Sequence, residues 1–466
     1  MSNIMGLLTI GQTALLAHQK AIDITGNNIA NVNTEGYSRQ RLNLVQNSPV
    51  RVTNLTMSTG VSAEQSIQRF YDEFVNSQLN SENESLGRWE AQKSALEKIE
   101  VMFDEVSGYG LSTAMSDFFN AWQDLANNPS GHVERVQLVS AAEYMTETFN
   151  QISSSIQEFQ SDINTNVDNI VDEVNSITEK IAGLNQKITQ VEVTGHNAND
   201  YRDERDLLVK ELSKLIDIES FEDGNGNMTI TVGDGKPLVE NSSAWELTTT
   251  DNGGVQDVFW KSSDGSTVNI TNAIDDGELK GWIETRDVLL NDYSSRMDDL
   301  AAAIVDSVNT LHSGGTTLDG TITSGVNFFD PAGNDAATIS VNADILSNVQ
   351  LIAAADASED VPGGSGNAIA ISELQNSSQA TLGNATFDSY YNSLVGDVGQ
   401  DATSANFNYE HQTSMVNRLE NQRQEISGVS LDEEMVNLVK FQHAYNAAAK
   451  IITTVDEMMQ TLLGMI

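Results

Sequence analysis

Several residue types are scarce in this sequence, and each scarcity excludes a class of structure or function. The chain has no cysteine, which excludes disulfides, thiolate nucleophiles and cysteine metal sites. Only 5 prolines occur in 466 residues, which favours long, uninterrupted helices. We predict no membrane span, because no apolar run reaches the roughly 18 residues that a span needs. The N-terminal residues lack a basic segment and a continuous apolar core, so they do not resemble a secretory signal.

Positive charge is also scarce. The chain has 24 Lys and Arg residues against 67 Asp and Glu residues, for a net charge of −43. Binding nucleic-acid phosphates requires clustered cations, so we expect no nucleic-acid partner. A charge this negative predicts good solubility at high salt, where screening weakens the repulsion within and between molecules.

Apolar residues are organised most clearly at the two ends of the chain, where they alternate at spacings of four and three. The N-terminal positions are Ile4, Leu8, Leu15, Ile22, Ile29 and Val32. The C-terminal positions are Leu431, Met435, Leu438, Tyr445, Ala449, Ile452, Met459, Leu463 and Ile466. This heptad pattern predicts two terminal helices that pair with each other and with neighbouring copies, as in a self-assembling rod or filament protein.

The same two seams contain small and polar residues. These residues are Gly11, His18, Thr25, Gln442 and Asp456. They fit either a coiled coil with imperfect heptads or helices that pack against neighbours on more than one side.

Between the ends, periodicity predicts the fold class. We expect a mainly α protein with an inserted β domain, a long helical-bundle or coiled-coil body, and paired N- and C-terminal helices. A continuous alternation over 149–191 predicts a helical strut, with Asn166 as a polar residue that sets its register. Gly-rich turns between short β-prone runs predict a small β domain at 220–276.

These patterns divide the chain into three predicted domains. A terminal coiled-coil core domain comprises 1–69 and 405–466, with a β-like linker at 38–69. The helical-bundle body comprises 70–219 and 277–404, with a loop and strand region at 313–366. The β domain at 220–276 is inserted into this body.

Motifs for catalysis or ligand binding are weak. The sequence DGNGN at 223–227 resembles the start of a calcium loop, but Met228 replaces the glycine of the sharp turn, so a hairpin turn is favoured. Gly235 and Lys236 lack the first glycine of a phosphate-binding loop. The 6 histidines are scattered without metal-ligand spacing. We therefore predict no enzyme activity, no metal and no cofactor.

Two terminal stretches carry a family resemblance. The sequence ALLAHQKAIDITGNNIANVNTEGYSRQR at 14–41 resembles the signature of bacterial flagellar axial proteins, the family of rod, hook and hook-associated proteins. The sequence SGVSLDEEMVNLVKFQHAYNAAAKIITTVDEMMQTLL at 427–463 is similar to the closing helix of that family. The GYSRQ ending resembles specifically the hook-associated members at the first hook–filament junction. The signature residues are Asn27, Asn28, Asn31, Gly36, Tyr37 and Arg39.

The resemblance implies a structural role. It implies a junction ring that connects the hook to the filament outside the cell, reached by type III export without a cleaved signal peptide. The implied partners are other copies of the chain, the hook protein, the second hook–filament junction protein, and a cytoplasmic export chaperone that holds the C-terminal helix. Two alternatives stay open at this point: another flagellar axial subunit of hook or filament type, and an adhesin carried on the flagellum.

Overall fold

The computed structural model of this chain describes residues 2–46, 50–52, 55–57, 61–103, 110–318, 326–356, 359 and 361–465. Parts of the predicted 38–69 linker and of the 313–366 region, together with Ile466, lie outside the described residues. Long helices and an inserted β region make up the described part, which confirms the predicted fold class. Among the described residues, no helix combines the length and apolar character needed to cross a membrane.

The elements follow the chain in this order. The described α-helices are α1 (Ser2–Ala30), α2 (Glu73–Met102), α3 (Leu111–Asn127), α4 (His132–Glu192), α5 (Asn199–Leu215), α6 (Gly277–Glu284), α7 (Leu290–His312), α8 (Ala343–Ser347), α9 (Gly366–Glu373), α10 (Phe387–Ser427) and α11 (Leu431–Leu463). The described strands are β1 (Gln40–Gln46), β2 (Val50–Val52), β3 (Leu55–Met57), β4 (Val61–Arg69), β5 (Glu219–Glu222), β6 (Met228–Val232), β7 (Lys236–Glu240), β8 (Ser243–Ala244), β9 (Leu247–Asp251), β10 (Gln256–Lys261) and β11 (Thr267–Asn269).

The two ends of the chain pair with each other. α1 packs along α11, and the antiparallel strands β1 and β4 lie against α1. The chain leaves the body at 428–430, where α10 ends. A Cβ at Gly428 would lie 2.3 Å from the carbonyl oxygen of Gln424, so this close backbone contact requires glycine. The predicted boundary of the terminal domain at Ala405 lies inside α10, which begins at Phe387.

The strut is longer than the predicted 149–191. α4 has 61 residues, which gives a length of about 92 Å at 1.5 Å per residue. Its buried face includes Ile163, Val167 and Ile170, whereas Asn166 is only half-buried beside that face. The prediction of Asn166 as the register residue is therefore wrong. The next residue on the same face after Ile163 could be either the third residue along, Asn166, or the fourth, Val167. The structure buries the apolar Val167.

One part of the body core lies between α3, α4, α7 and the loop region that follows α7. Aromatic side chains fill it: the ring centroids of Trp122 and Phe328 are 5.2 Å apart, and those of Phe328 and Phe329 are 5.0 Å apart. The fully buried Arg135 on α4 donates hydrogen bonds to the carbonyl oxygens of Pro129 (2.7 Å) and Ile352 (2.7 Å). Arg135 thereby satisfies backbone groups of a segment that has little regular structure of its own.

The inserted β region contains two small antiparallel sheets. One has the strand order β5-β6-β7-β8 and the other has the order β11-β10-β9. Both lie against the strut α4. Their buried apolar residues, such as Ile230, Leu238 and Val258, belong to the same continuous core as the body helices.

Three asparagines of α4 hold this β region through its backbone. Asn175 donates to the carbonyl oxygen of Leu247 and accepts from its N–H, both at 2.8 Å. Asn164 pairs in the same way with the backbone at Gly254 (2.7 Å) and Gln256 (3.1 Å). Asn185 does so with Met228, at 2.8 and 3.0 Å. The spacing of 10–11 residues is about three helical turns, so the three amides share one face of α4.

Candidate assembly site

The loop 31–39 joins α1 to β1 and carries much of the family signature; we call it the signature loop. It turns sharply at Gly36, whose φ of +78° lies in the left-handed region. A Cβ at Gly36 would lie 3.2 Å from the Cβ of Leu207 on α5. Glycine is therefore favoured here both by the backbone conformation and by the close approach to the body.

Asn28, near the end of α1, ties this loop to both terminal helices. Its side-chain amide donates to the carbonyl oxygen of Gln40 (2.8 Å) and to a carboxylate oxygen of Glu434 on α11 (3.1 Å). Its Oδ1 accepts from the Tyr37 hydroxyl (2.9 Å) and from the N–H of Gln40 (3.0 Å). Asn28 is 1% exposed, and these four contacts use its full hydrogen-bonding capacity.

Arg39 makes the second link between the signature loop and α11. Its guanidinium donates to Glu434 through Nε and to Glu433 through Nη1, both at 2.8 Å. Its backbone N–H donates to the carbonyl oxygen of Ser427 at the end of α10 (2.8 Å). Glu434 is 2% exposed; Arg39 balances its charge inside the protein, and the Asn28 amide donates a hydrogen bond to it.

Tyr37 completes this hydrogen-bonded cluster as a donor. Burial raises the pKa of its hydroxyl well above the ordinary value, and three nearby carboxylates raise it further. The hydroxyl therefore stays protonated at neutral pH and can donate to Asn28. We call Asn28, Tyr37, Arg39 and Glu434 the terminal hub.

The structure brings together only some of the predicted signature residues. Asn28, Tyr37 and Arg39 meet in the hub, and Gly36 shapes the loop beside it. Asn27 is exposed, and the half-buried Asn31 donates from its side chain to the carbonyl oxygen of Asn27 (3.0 Å). Glu434 was not predicted. The sequence did contain a signal for it: the first turn of α11 is acidic, and an acidic residue there could have been predicted to pair with the signature residue Arg39.

The terminal helices contact each other along rows that differ partly from the predicted seams. On α11, the buried residues are Glu434, Ala448 and Val455. Each lies one residue before a position of the predicted seam, namely Met435, Ala449 and Asp456. On α1, Ala21 and Asn28 are buried in place of the predicted Ile22 and Ile29. The contact follows small residues because they let the helix axes approach closely. A Cβ at Gly11 would lie 2.9 Å from Cγ1 of Ile452.

The predicted seam residues therefore lie mostly beside the contact between the two helices. Ile4, Leu15, Ile22, Ile29, Leu438, Tyr445, Ala449 and Ile452 are half-buried. Leu8, Leu431, Met435, Met459 and Leu463 are exposed. Val32 is half-buried in the signature loop, because α1 ends two residues before it. Ile466 lies outside the described residues.

Much apolar area on the terminal helices is left uncovered by the chain itself. We define the terminal apolar surface as the exposed residues Met5, Leu7, Leu8, Leu16, Leu431, Met435, Val436, Val439, Ile451, Met458, Met459, Leu462 and Leu463. Soluble proteins rarely expose so many large apolar residues on one pair of elements unless the surface binds a partner.

The weak ligand motifs form turns. The carboxylate of Asp223 accepts from the N–H groups of Asn225 (2.8 Å) and Asn227 (2.9 Å), and Gly226 has a φ of +83°. This is the turn of the hairpin between β5 and β6, as the sequence predicted. Gly235 also has positive φ and lies in the turn between β6 and β7.

Comparisons with known families agree with this arrangement. The family model described as "Flagellar hook-associated protein FlgK helical domain" matches residues 96–329. The ends match two further models: "Flagella basal body rod protein" at residues 8–37 and "Flagellar basal body rod FlgEFG protein C-terminal" at residues 420–465. The two end matches contain three of the four hub residues, Asn28, Tyr37 and Glu434, and most of the terminal apolar surface.

Individual relatives cover nearly the whole chain. It is 30% identical to flagellar hook-associated protein 1 of Bacillus subtilis (strain 168), over 99% of this chain and 98% of the relative. It is 26% identical to flagellar hook-associated protein 1 of Escherichia coli (strain K12), over 98% of this chain and 99% of the relative. The solved flagellar hook junction protein FlgK from Burkholderia pseudomallei shares the fold, with a TM-score of 0.66 at 14% identity over 75% of this chain and 100% of that one.

Proposed function

This chain belongs to the family of flagellar hook-associated protein 1, a structural protein of the hook–filament junction, and we propose that its copies assemble there through α1 and α11. The observation that carries this proposal is the terminal apolar surface. α1 and α11 already cover one face of each other, so the residues that stay exposed are available to neighbouring copies. Burying a large apolar side chain contributes about 1.5–3 kcal/mol, so a few such contacts per copy stabilise a ring.

This proposal assigns separate roles to the predicted seam residues and to the hub residues. The half-buried residues of α1 and α11 lie at the margin of the intrachain contact, where a third helix from a neighbour can pack beside them. The hub residues do not face neighbours. Their role is to hold α11 in position beside α1, so that both apolar faces point outward from one rigid pair.

The proposal extends to partners and to delivery. We propose contacts with the hook protein on one side of the ring and with the second junction protein on the other. We also propose export by the type III apparatus, with a cytoplasmic chaperone that covers the exposed apolar residues of α11 before assembly. A chain without cysteine suits such export, because no disulfide has to be opened before the chain unfolds.

The domain division is retained as part of the proposal. A terminal domain of 1–69 and 405–466 assembles the ring, and a body of 70–219 and 277–404 carries the inserted β domain of 220–276. The alternative of another axial subunit is less favoured, because the body match at residues 96–329 is to a hook-associated helical domain. An adhesin function would have to reside in the inserted domain.

The test uses one exposed residue of the terminal apolar surface and a matched control on the body. Met435 is 59% exposed on α11, and Val193 is 83% exposed after the end of α4. Each is replaced by Asp in a flagellated strain that lacks its own copy of the gene. We expect Met435→Asp to give hooks without filaments and to release filament protein into the medium, because a charge at a helix contact cannot be buried there. Val193→Asp restores swimming.

The location of the Met435→Asp protein separates the two parts of the proposal. Variant found in the medium indicates a failure of assembly, whereas variant retained in the cell indicates a failure of chaperone binding or export. Normal filaments in the Met435→Asp strain, with wild-type circular dichroism of the purified protein, would refute assembly through this surface.

A further inference from the structure

One face of α5 carries three carboxylates that point at the terminal part of the molecule. Asp200, Asp203 and Asp206 are spaced by three residues and therefore lie along one side of the helix. We call these three residues the acidic seat. We call α1, the signature loop, β1, β4 and α11 the terminal unit.

The terminal unit places three hydrogen-bond donors on the acidic seat. The backbone N–H of Ser38 donates to Asp203 Oδ2 at 3.0 Å. Arg69, at the end of β4, donates through Nη1 to Asp203 Oδ1 at 3.0 Å and to Asp206 Oδ2 at 2.6 Å. The side-chain amide of Gln40 donates to Asp200 Oδ1 at 2.8 Å. The carboxylates are thus already engaged by defined partners from the same chain.

Asp203 occupies the centre of this contact. Its two carboxylate oxygens bind two different parts of the terminal unit, the signature loop and the base of the β1–β4 pair. The side chains of Arg69 and Asp203 are only 10% and 7% exposed, so water competes weakly for the ion pair. The ring of Tyr71 lies 4.1 Å from the Arg69 guanidinium and holds it from the other side.

Further polar contacts lie beside the acidic seat. The side-chain amides of Asn197 and Asn199 both donate to the carbonyl oxygen of Ile67, at 3.0 and 2.8 Å. Hydrogen bonds fix an angle between two elements because they are directional, whereas an apolar contact permits sliding. The terminal unit joins the body through two connections, 70–72 before α2 and 428–430 after α10, and neither belongs to a helix or strand, so the backbone alone does not set that angle.

We propose that the acidic seat fixes the orientation of the terminal unit relative to the body, with Asp203 as the positioning residue. This inference rests on the proposed function, because a junction ring has to pass torque from its assembled core to its body. A copy without the seat would still present the terminal apolar surface and the hub. It would hold them at a variable angle to the strut.

The absence of cysteine makes a direct measurement possible on the full chain. Spin labels are attached to cysteines introduced at two exposed positions, Gln442 on α11 and Glu179 on α4, and the distance distribution between them is measured by pulsed electron resonance. The doubly labelled protein with the seat intact should give one narrow distribution. Asp203→Ala and Arg69→Met should each broaden it about twofold, as expected when a fixed contact becomes a hinge.

Two further variants make the result specific. Asp203→Asn keeps an acceptor for the Ser38 N–H but removes the charge, and should broaden the distribution less than Asp203→Ala does. Asp162→Ala removes one exposed carboxylate from α4 and should leave the distribution unchanged. Distributions as narrow as wild type in both Asp203→Ala and Arg69→Met, with helix content retained, would overturn the proposal. The measurement uses dilute monomer, so its outcome is independent of whether assembly occurs through the terminal apolar surface.

Discussion

His312, the last residue of α7, shows how one buried side chain joins two parts of the body. Its ring lies among Trp122 and Phe328 and is fully buried. Nε2 accepts the backbone N–H of Ala353 at 3.0 Å, and Nδ1 lies 3.0 Å from the carbonyl oxygen of Val326. Only the neutral ring with its proton on Nδ1 satisfies both contacts. Burial is the main cause that lowers the pKa of His312 to about 4; the nearby positive charge of Arg135 contributes in the same direction, and the hydrogen bond to Val326 opposes it in part.

This geometry predicts a pH dependence of stability. The unfolded chain takes up a proton near pH 6.5, whereas the folded chain does so only near pH 4. The contribution of His312 to the free energy of unfolding should therefore be fully present above pH 6.5 and be lost between pH 6.5 and 4, by up to about 3 kcal/mol. His312→Gln should lower stability at neutral pH and remove this part of the slope. Urea unfolding of both proteins across that range measures the difference.

The comparison with the variant is necessary because another buried group titrates with the opposite sign. Burial raises the pKa of Glu84 to about 8, and its contribution to stability is lost as the pH rises through that value. Both proteins keep Glu84, so subtracting the His312→Gln curve from the wild-type curve removes the Glu84 contribution. The exposed His411→Gln serves as control and should keep the wild-type slope. Equal slopes in wild type and His312→Gln would contradict the role of His312.

At the scale of elements, the inserted β region depends on the asparagines of α4 for its attachment. Asn175→Leu should destabilise it, because the N–H and carbonyl of the buried Leu247 would lose both partners. An unsatisfied buried backbone group costs about 1–3 kcal/mol. We expect faster hydrogen exchange in β9 and β10 with little change in β5 and β6, which are held by Asn185.

A matched substitution is available on the same helix. Asn166→Leu makes the same chemical change at a half-buried position beside the buried face. It should change the exchange of β9 by much less than Asn175→Leu does. If the two variants exchange alike, the backbone pairing at Leu247 does not hold the β region.

These elements also show what a single sequence can and cannot predict. Apolar spacing predicted the terminal pairing and the strut, because periodicity reports directly on which face of an element is buried. Gly-rich turns between short β-prone runs predicted the β insertion. Apolar spacing did not show that Asn175, rather than Asn166, has a structural role. Both are asparagines on α4, and only the position of strand β9 decides which side-chain amide binds a backbone.

The same limit applies to the terminal seams. Large apolar residues led to the prediction of Leu15 and Ile22, whereas the contact follows Ala17 and Ala21. Alanine gives a weak hydrophobic signal, yet it permits the close approach that two helices prefer. Glu434 was missed for a related reason, because a buried carboxylate is recognised only from its partners, Asn28 and Arg39.

At the scale of the whole molecule, charge sets the conditions for assembly. Each copy carries a net charge of −43, and a ring brings many copies together. The resulting repulsion extends over about 10 Å at 0.1 M salt and about 3 Å at 1 M. Exposed acids on α4 such as Glu143, Glu147, Glu158 and Glu179 add to it along the strut. The apolar contacts between terminal helices therefore have to outweigh an opposing term that depends on salt.

Association of the purified full chain should accordingly increase with sodium chloride concentration. Sedimentation velocity across 0.05 to about 1 M salt covers the range in which screening changes most. A variant with these four glutamates replaced by Gln should reach the same degree of association at lower salt, since its repulsion is weaker while its terminal helices are unchanged. Met435→Asp should stay monomeric throughout, which separates screening from non-specific precipitation. Association that falls as salt is added would mean that ion pairs, rather than apolar contacts, join the copies.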